Sequence, residues 1–157
     1  MTSTAAAPKA LAEDEGLRLQ SGPGRDLVFK VTGEDTGGAF DYFTVDVAPE
    51  GGPPLHVHHK QEETIHVLKG RFKVRIGDEL FDDQGGFAHL PSKIPHAFLN
   101  LTDEPGELIM VFSPGGGHRF FEDLGPATRN GTSDRAEVAA IFQRHDMSLL
   151  GPPLNAD

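Results

Sequence analysis

The stretch HVHHKQEE, residues 56 to 63, holds three histidines and two glutamates in eight positions. Imidazole nitrogen and carboxylate oxygen are the donors that hold divalent transition metals, and a chain without cysteine can offer no thiolate. On a β-strand, residues two apart point the same way. His56 and His58 therefore share a face, about 6.6 Å apart at their Cα atoms, and can converge on one ion. His59 has the wrong parity and lies opposite, with Val57. The segment HKQ should leave the strand and turn, so the parity of the glutamates has to be read backward from TIHV. If Ile65 and Val67 face inward, Glu63 does too, while Glu62, Thr64 and His66 face outward. A fourth candidate is His96 in LPSKIPHAFLN, where Pro95 pre-sets the backbone just before the side chain. Phe98 shares its parity on the strand that follows. His56, His58, Glu63 and His96 make a set of three nitrogens and one oxygen, suited to Fe, Mn, Ni, Co, Cu or Zn. His59, His118 and His145 read as surface or loop residues. His66 and His89 stay open between pocket lining and a hydrogen bond to a ligand.

Those side chains need strands to hold them. LVFKV at 27 to 31 and FDYFTVDV at 40 to 47 are aromatic and β-branched runs closed by turn residues. In the second, Phe43, Val45 and Val47 alternate with Thr44 and Asp46, as one buried face requires. TIHVLKGRFKVRIGDEL reads as a hairpin about Lys69-Gly70 with a further turn at Gly77-Asp78. FAHLP, HAFLNL and ELIMVFS add three strands. Eight to ten strands at this spacing predict a sandwich or barrel. After Pro114, Phe120, Phe121 and Leu124 fall at helical spacing. In DRAEVAAIFQRHD, Val138, Ile141 and Phe142 share a face behind an N-cap at Ser133 or Asp134. The expected organisation is a disordered leader over 1–15, a β-barrel over 16–115, and a helical extension over 116–157 packed on one face of it.

The length suits a single domain with a hydrophobic core. With 37% apolar residues, 19 glycines and 12 prolines, short strands and tight loops fit better than a helical bundle. The formal net charge of -10 repels nucleic acid and anionic membranes, leaving a small molecule or a protein as partner. The N-terminus lacks the charged start and apolar run of a signal peptide, and no segment approaches the roughly 18 apolar residues of a membrane span. A soluble cytoplasmic protein is expected.

The two histidine regions resemble the two motifs of the cupin superfamily. The first, G-x5-H-x-H-x3-4-E-x6-G, is met by His56, His58, Glu63 and Gly70; Glu50 stands in place of its first glycine, with Gly51 and Gly52 following. The second, G-x5-P-x-G-x2-H-x3-N, is met by Gly85, Pro91, His96 and Asn100 and departs at Lys93, where a turn glycine is usual. The resemblance covers about residues 37 to 115 and implies an all-β, double-stranded β-helix (jelly-roll) barrel with short C-terminal helices. It assigns the ligand roles to His56, His58, Glu63 and His96 around one divalent transition metal. The ending SPGGGHRFFEDLG…HDMSLLGPPL is similar to single-domain cupins of the quercetin-dioxygenase-like group. That likeness implies a dioxygenase acting on a planar enol or phenol, with Glu63 as the base, dioxygen as co-substrate, and Ile65 and Phe98 in the pocket wall. The same site would serve a non-redox cyclase or isomerase on a polyketide or sugar-like compound, or a metal-containing binding protein without turnover. Zinc as the native metal would favour the non-redox enzyme, and a cramped, sealed pocket would favour the binding protein. The resemblance also implies a homodimer paired through a sheet edge.

Overall fold

The computed structural model describes residues 6–82 and 86–157. Among them are eleven strands and two helices, arranged as two antiparallel sheets facing one another. Sheet A has the order β1 (Leu17–Gln20), β2 (Asp26–Val31), β3 (Asp41–Val47), β10 (Gly106–Ser113), β5 (Glu62–Lys69) and β8 (Phe87–Leu90). Sheet B has the order β11 (Met147–Pro153), β4 (Pro54–His58), β9 (His96–Asn100), β6 (Phe72–Ile76) and β7 (Glu79–Phe81). This is the jelly-roll expected from the sequence. The alternation read in β3 is present: Phe43, Val45 and Val47 are buried, and Asp46 is exposed.

The core lies between the sheets and is rich in phenylalanine. Phe29 and Phe43 stack at 4.3 Å, and Phe43 meets the edge of Phe112 at 4.9 Å. Offset and edge-on contacts of this kind add to the burial itself. The backbones also approach closely: a Cβ at Gly52 would collide with the carbonyl oxygen of Phe98, so only glycine lets the approach to β4 pass behind β9.

The expected hairpin across Lys69-Gly70 is corrected. β5 lies in sheet A between β10 and β8, whereas β6 lies in sheet B between β9 and β7. Gly70, at φ 98°, redirects the chain, and Phe72 leaves the first sheet to bury itself against Phe98, 6.1 Å away ring to ring. Burial of that ring outweighs the local tendency to fold back. The turn at Gly77-Asp78 does join a hairpin, β6 with β7.

The C-terminal part holds α1 (His118–Thr128) and α2 (Arg135–Arg144). Asp134 is the N-cap of α2, its carboxylate accepting from the Ala136 N–H at 2.9 Å. Val138, Ile141 and Phe142 are buried together with Phe120, Leu124 and Met147, forming a second cluster beneath the helices. The same segment also supplies β11, a strand the helical expectation did not include. MSLLGPP hides its character behind a glycine and two prolines, which an edge strand tolerates because the outward N–H groups need no partner. Its register with β4 shifts between Leu149 and Pro153.

Two buried polar side chains pin the loops to the barrel. Asp41, fully buried on β3, accepts from the N–H groups of Gly33, Gly116 and Gly117 at 2.7, 2.9 and 2.7 Å. A carboxylate from the barrel thereby anchors the turn that leads into α1. Asn100 donates to the carbonyls of Val47 and Glu104 at 3.0 and 2.8 Å and accepts from Thr102 N–H at 2.9 Å. Of the expected leader, residues 1–5 lie outside the described residues. Residues 6–15 form no helix or strand, although Lys30 donates to the carbonyls of Glu13 and Glu15 at 2.6 and 2.7 Å. No helix among the described residues is long and apolar enough to cross a membrane.

The two departures from the motif glycines keep the glycine geometry. Glu50 has φ 57° and Lys93 φ 70°, both left-handed. The backbone holds them there, with Glu50 N–H on the Asn100 carbonyl at 3.1 Å and Lys93 N–H on the His58 carbonyl at 2.7 Å. A side chain in that region costs about 1–2 kcal/mol, part of which glycine gives back through its looser unfolded chain. Glu50→Gly and Lys93→Gly should therefore each stabilise the protein, by about 0.5–1 kcal/mol in denaturant unfolding; a loss of stability would show that the side chains make compensating contacts.

Candidate metal centre

Three strands and both sheets deliver the four ligand candidates. β4 carries His56 and His58 on its inner face, two residues apart. β9 begins with His96, whose register partner on β4 is His56. Glu63, second residue of β5, reaches in from sheet A opposite. All four are buried, at 7, 3, 1 and 2% exposure for His56, His58, His96 and Glu63, and their ligand atoms lie within 4.8 Å of one another. The rings of His58 and His96 stack at 5.2 Å, and His56 meets His96 edge-on at 4.4 Å.

The outer nitrogen of each ring is tied to an oxygen. His56 Nδ1–H donates to the Pro54 carbonyl at 2.8 Å, and His96 Nδ1–H to the Ile94 carbonyl at 3.2 Å. His58 Nδ1 lies 3.0 Å from Gln61 Oε1. The Gln61 amide is oriented in turn by its own N–H, which donates to the Pro114 carbonyl at 2.8 Å. A carbonyl can only accept, so Gln61 Oε1 is the acceptor left for His58, and His58 carries its proton on Nδ1. All three Nε2 atoms are thereby turned inward toward the carboxylate.

His58 Nε2 lies 3.2 Å from Glu63 Oε2, yet the pair lacks hydrogen-bond geometry and the nitrogen is buried without a partner. Two acceptors facing each other in a buried site call for a cation between them. His96 Nε2, 3.0 Å from the same oxygen, donates a hydrogen bond to it. Burial pushes the pKa of His56 down to about 3, helped by the charge of His96 and His58. For Glu63, burial alone would raise the carboxyl, but His96 and His58 beside it hold it well below the usual carboxylate range. For His96, burial opposes the charged form, but the Glu63 carboxylate outweighs it and raises the imidazole pKa. A neutral His56, an ionised Glu63 and an orphaned His58 nitrogen form a donor set that fits a divalent transition metal.

The other histidines separate cleanly. His59 is exposed and bonds Ser148 Oγ at 2.7 Å. His66 is exposed beside Phe87, and His89 meets Glu62 at 3.4 Å, so neither touches the ligand cluster. His145 bonds Asp123 at 2.7 Å. His118 is not a surface residue as expected: it is 3% exposed, at the head of α1 against the edge of Phe29, because the turn pinned by Asp41 carries it inward.

The cluster opens into a cavity of about 390 Å³, with His56, His58 and Glu63 in its wall. Phe98, Met110 and Phe112 line it from the barrel; Phe120, Phe121, Val138 and Phe142 line it from the helices. Of the two expected wall residues, Phe98 is in place. Ile65 is buried along another part of the barrel and lines a second cavity with Val67 and Phe87. Inward parity places a side chain between the sheets but does not say at which level. Gln61 and the helix-borne wall were not identified from sequence. The helical face of Val138 and Phe142 was the one available signal, since a buried face needs something to cover.

Comparison with known proteins finds similarity to cupins over part of the chain. The cupin domain family model matches residues 43–112. An uncharacterized protein of Methanocaldococcus jannaschii is 29% identical over 80 residues, spanning 50% of this chain and 64% of that protein, so less than two thirds of the relative's length is matched. The structure of KdgF from Halomonas sp. is similar with a TM-score of 0.63 at 17% identity, over 72% of this chain and 99% of that one. The polyketide cyclase RemF from Streptomyces resistomycificus is similar with a TM-score of 0.55 at 19% identity, over 68% of this chain and 80% of that one.

Alanine at His56, His58, His96 or Glu63 should each sharply lower the metal bound per chain in elemental analysis, while His59→Ala and Glu62→Ala should leave it unchanged. Equal losses at Glu62 and Glu63 would overturn the assignment. Gln61→Leu keeps every ligand but frees the His58 tautomer. It should weaken metal affinity by about tenfold in competition with a chelator, and an unchanged affinity would show that the Gln61 bond does not orient the ring.

Proposed function

We propose that the protein is a metal-dependent enzyme acting on a small, planar, largely apolar molecule through an enol or phenol oxygen, and that it is a dioxygenase of the quercetin-dioxygenase-like kind. The observation that carries the proposal is the buried three-histidine, one-glutamate set opening into an aromatic cavity of about 390 Å³. A divalent transition metal held by His56, His58, Glu63 and His96 would lower the pKa of a substrate hydroxyl and serve as a template for it. Glu63 is the carboxylate of the set, and its Oε2, 3.2 Å from His58 Nε2 and 3.0 Å from His96 Nε2, is the atom placed to take the hydroxyl proton. The phenylalanines of the barrel and of α1 exclude water and hold a flat ring system. The resulting electron-rich enolate is the species to which dioxygen adds, both of its oxygen atoms passing to the product. A cavity of this size supports turnover over a sealed storage site.

Proton transfer at Glu63 does not itself require oxygen, and this favours one second reading. The same metal and the same carboxylate would catalyse a non-redox cyclisation or isomerisation of a polyketide-like compound; the fold neighbour from Streptomyces is named a polyketide cyclase. The aromatic walls suit that substrate better than a sugar.

Protein purified without added metal should carry a transition ion, and oxygen uptake should follow addition of a flavonol or related enol. At equal metal loading, Glu63→Gln should lower kcat by about 100-fold or more, as expected for loss of a positioned base. Substrate turnover that continues unchanged without oxygen would sink the oxygenase proposal and favour the cyclase or isomerase.

A further inference from the structure

The cavity has a second polar region, remote in sequence from the metal ligands. It is lined there by Ser21, Arg25, Thr128, Ser133 and Arg135. Ser21 and Arg25 come from the β1–β2 turn, and Thr128, Ser133 and Arg135 from the facing ends of α1 and α2 and the link between them. The β1–β2 turn is closed by Ser21 N–H on the Arg25 carbonyl at 3.1 Å and Arg25 N–H on the Gly22 carbonyl at 3.3 Å. The last turn of α1 and the connection after it pack onto this turn: a Cβ at Gly125 would collide with the Gln20 carbonyl, and one at Gly131 would touch Pro23.

Arg25 is half-buried, and its hydrogen-bond pattern is lopsided. Nε and Nη2 both donate to Ser21, the latter to its carbonyl at 2.8 Å. That occupies the side edge of the guanidinium. The end edge, formed by Nη1 and the second N–H of Nη2, has no protein acceptor among the described residues. A free end edge is the fork that grips a carboxylate with two parallel hydrogen bonds. Asp26, the neighbouring acid, is engaged by Gln20 at 2.9 Å instead. Arg135, at the start of α2, makes no ion pair among the described residues. Burial pushes the Arg25 pKa down to about 10, which still leaves it charged at neutral pH.

The charge pattern is the reverse of the chain's. The protein carries a formal charge of -10, yet among the described residues the acid in this cavity wall is Glu63 alone, and that carboxylate belongs to the candidate metal set. Two arginines in a mainly apolar wall have no role in holding the metal.

We propose that Arg25, supported by Arg135, is an anion subsite, and that the natural substrate is an aromatic or otherwise apolar acid whose carboxylate docks on the guanidinium end edge while its enol or phenol oxygen faces His56, His58, Glu63 and His96. This rests on the cavity being the substrate site. Ser21 sets the direction of the fork by holding its other edge, while the neighbouring acid, Asp26, is held by Gln20.

Two matched probes test it: naphthalene-2-carboxylate and its methyl ester, titrated calorimetrically into metal-loaded protein at low ionic strength. The carboxylate should bind wild type about tenfold tighter than the ester, the scale of a charge-assisted bidentate contact. Arg25→Gln should remove that preference by weakening the acid alone, Arg25→Lys should restore part of it, and Arg135→Gln should reduce it less. Bound metal should not change. If both probes bind wild type equally, the anion subsite is overturned and the substrate cavity stands. A preference that survives in the Arg25→Gln, Arg135→Gln double variant puts the carboxylate on the metal and overturns it as well. If neither probe binds wild type, the subsite and the cavity reading fall together.

Discussion

Three imidazole nitrogens and a carboxylate oxygen turned toward one point inside a protein are a donor set that a cation would complete. In this chain His56, His58 and His96 come from one sheet and Glu63 from the facing one, all buried. Much of the surrounding structure holds that arrangement. The carbonyls of Pro54 and Ile94 and the side-chain amide of Gln61 take the outer ring protons, leaving the inner nitrogens as donors to a metal. A metal here would also act as a cross-link between the sheets, so ligand geometry and barrel packing are one problem.

The barrel makes the site rigid, and the C-terminal segment makes it a cavity. Phe120, Phe121 and Phe142 wall in the open side of the ligands, while β11 extends sheet B beside the very strand that carries His56 and His58. Asp41 ties these regions together by bonding the turn that begins α1. A buried carboxylate with three backbone donors is far from any solvent competitor, so the helix is placed by the core of the barrel rather than by its own capping residue. Glu50 and Lys93 follow the same logic, since their hydrogen-bonded turns retain left-handed geometry even with side chains that disfavour it.

The cavity has two polar regions in its wall. One offers nitrogen and carboxylate donors for a metal; the other offers unpaired guanidinium hydrogens on a closed turn. Between them the wall is aromatic. Such a layout can orient a flat molecule by both ends and leave little freedom for water.

The clustering of the candidate ligands and the strand faces were legible in sequence because β-structure has period two. Spacing of two put His56 and His58 together, Ile65 and Val67 assigned Glu63 inward over Glu62, and the alternation in β3 is the one observed. Helix periodicity likewise found the buried faces of α1 and α2. Where the chain goes between elements was not legible. The strands flanking Gly70 look like a hairpin locally, and only burial of Phe72 between the sheets sends them into different ones. Proline and glycine concealed β11, whose identity depends on β4 lying beside it. His118 looked exposed until the turn held by Asp41 turned it inward, and Ile65 shared the right face at the wrong level. Gln61 and Arg25 carry no signal in sequence at all, since their roles lie in which hydrogen-bond edge is used and which is left free. Sequence by itself determined which side chains face the interior, since parity is a property of the local backbone; which of them meet, and what cavity they share, was decided only by long-range packing.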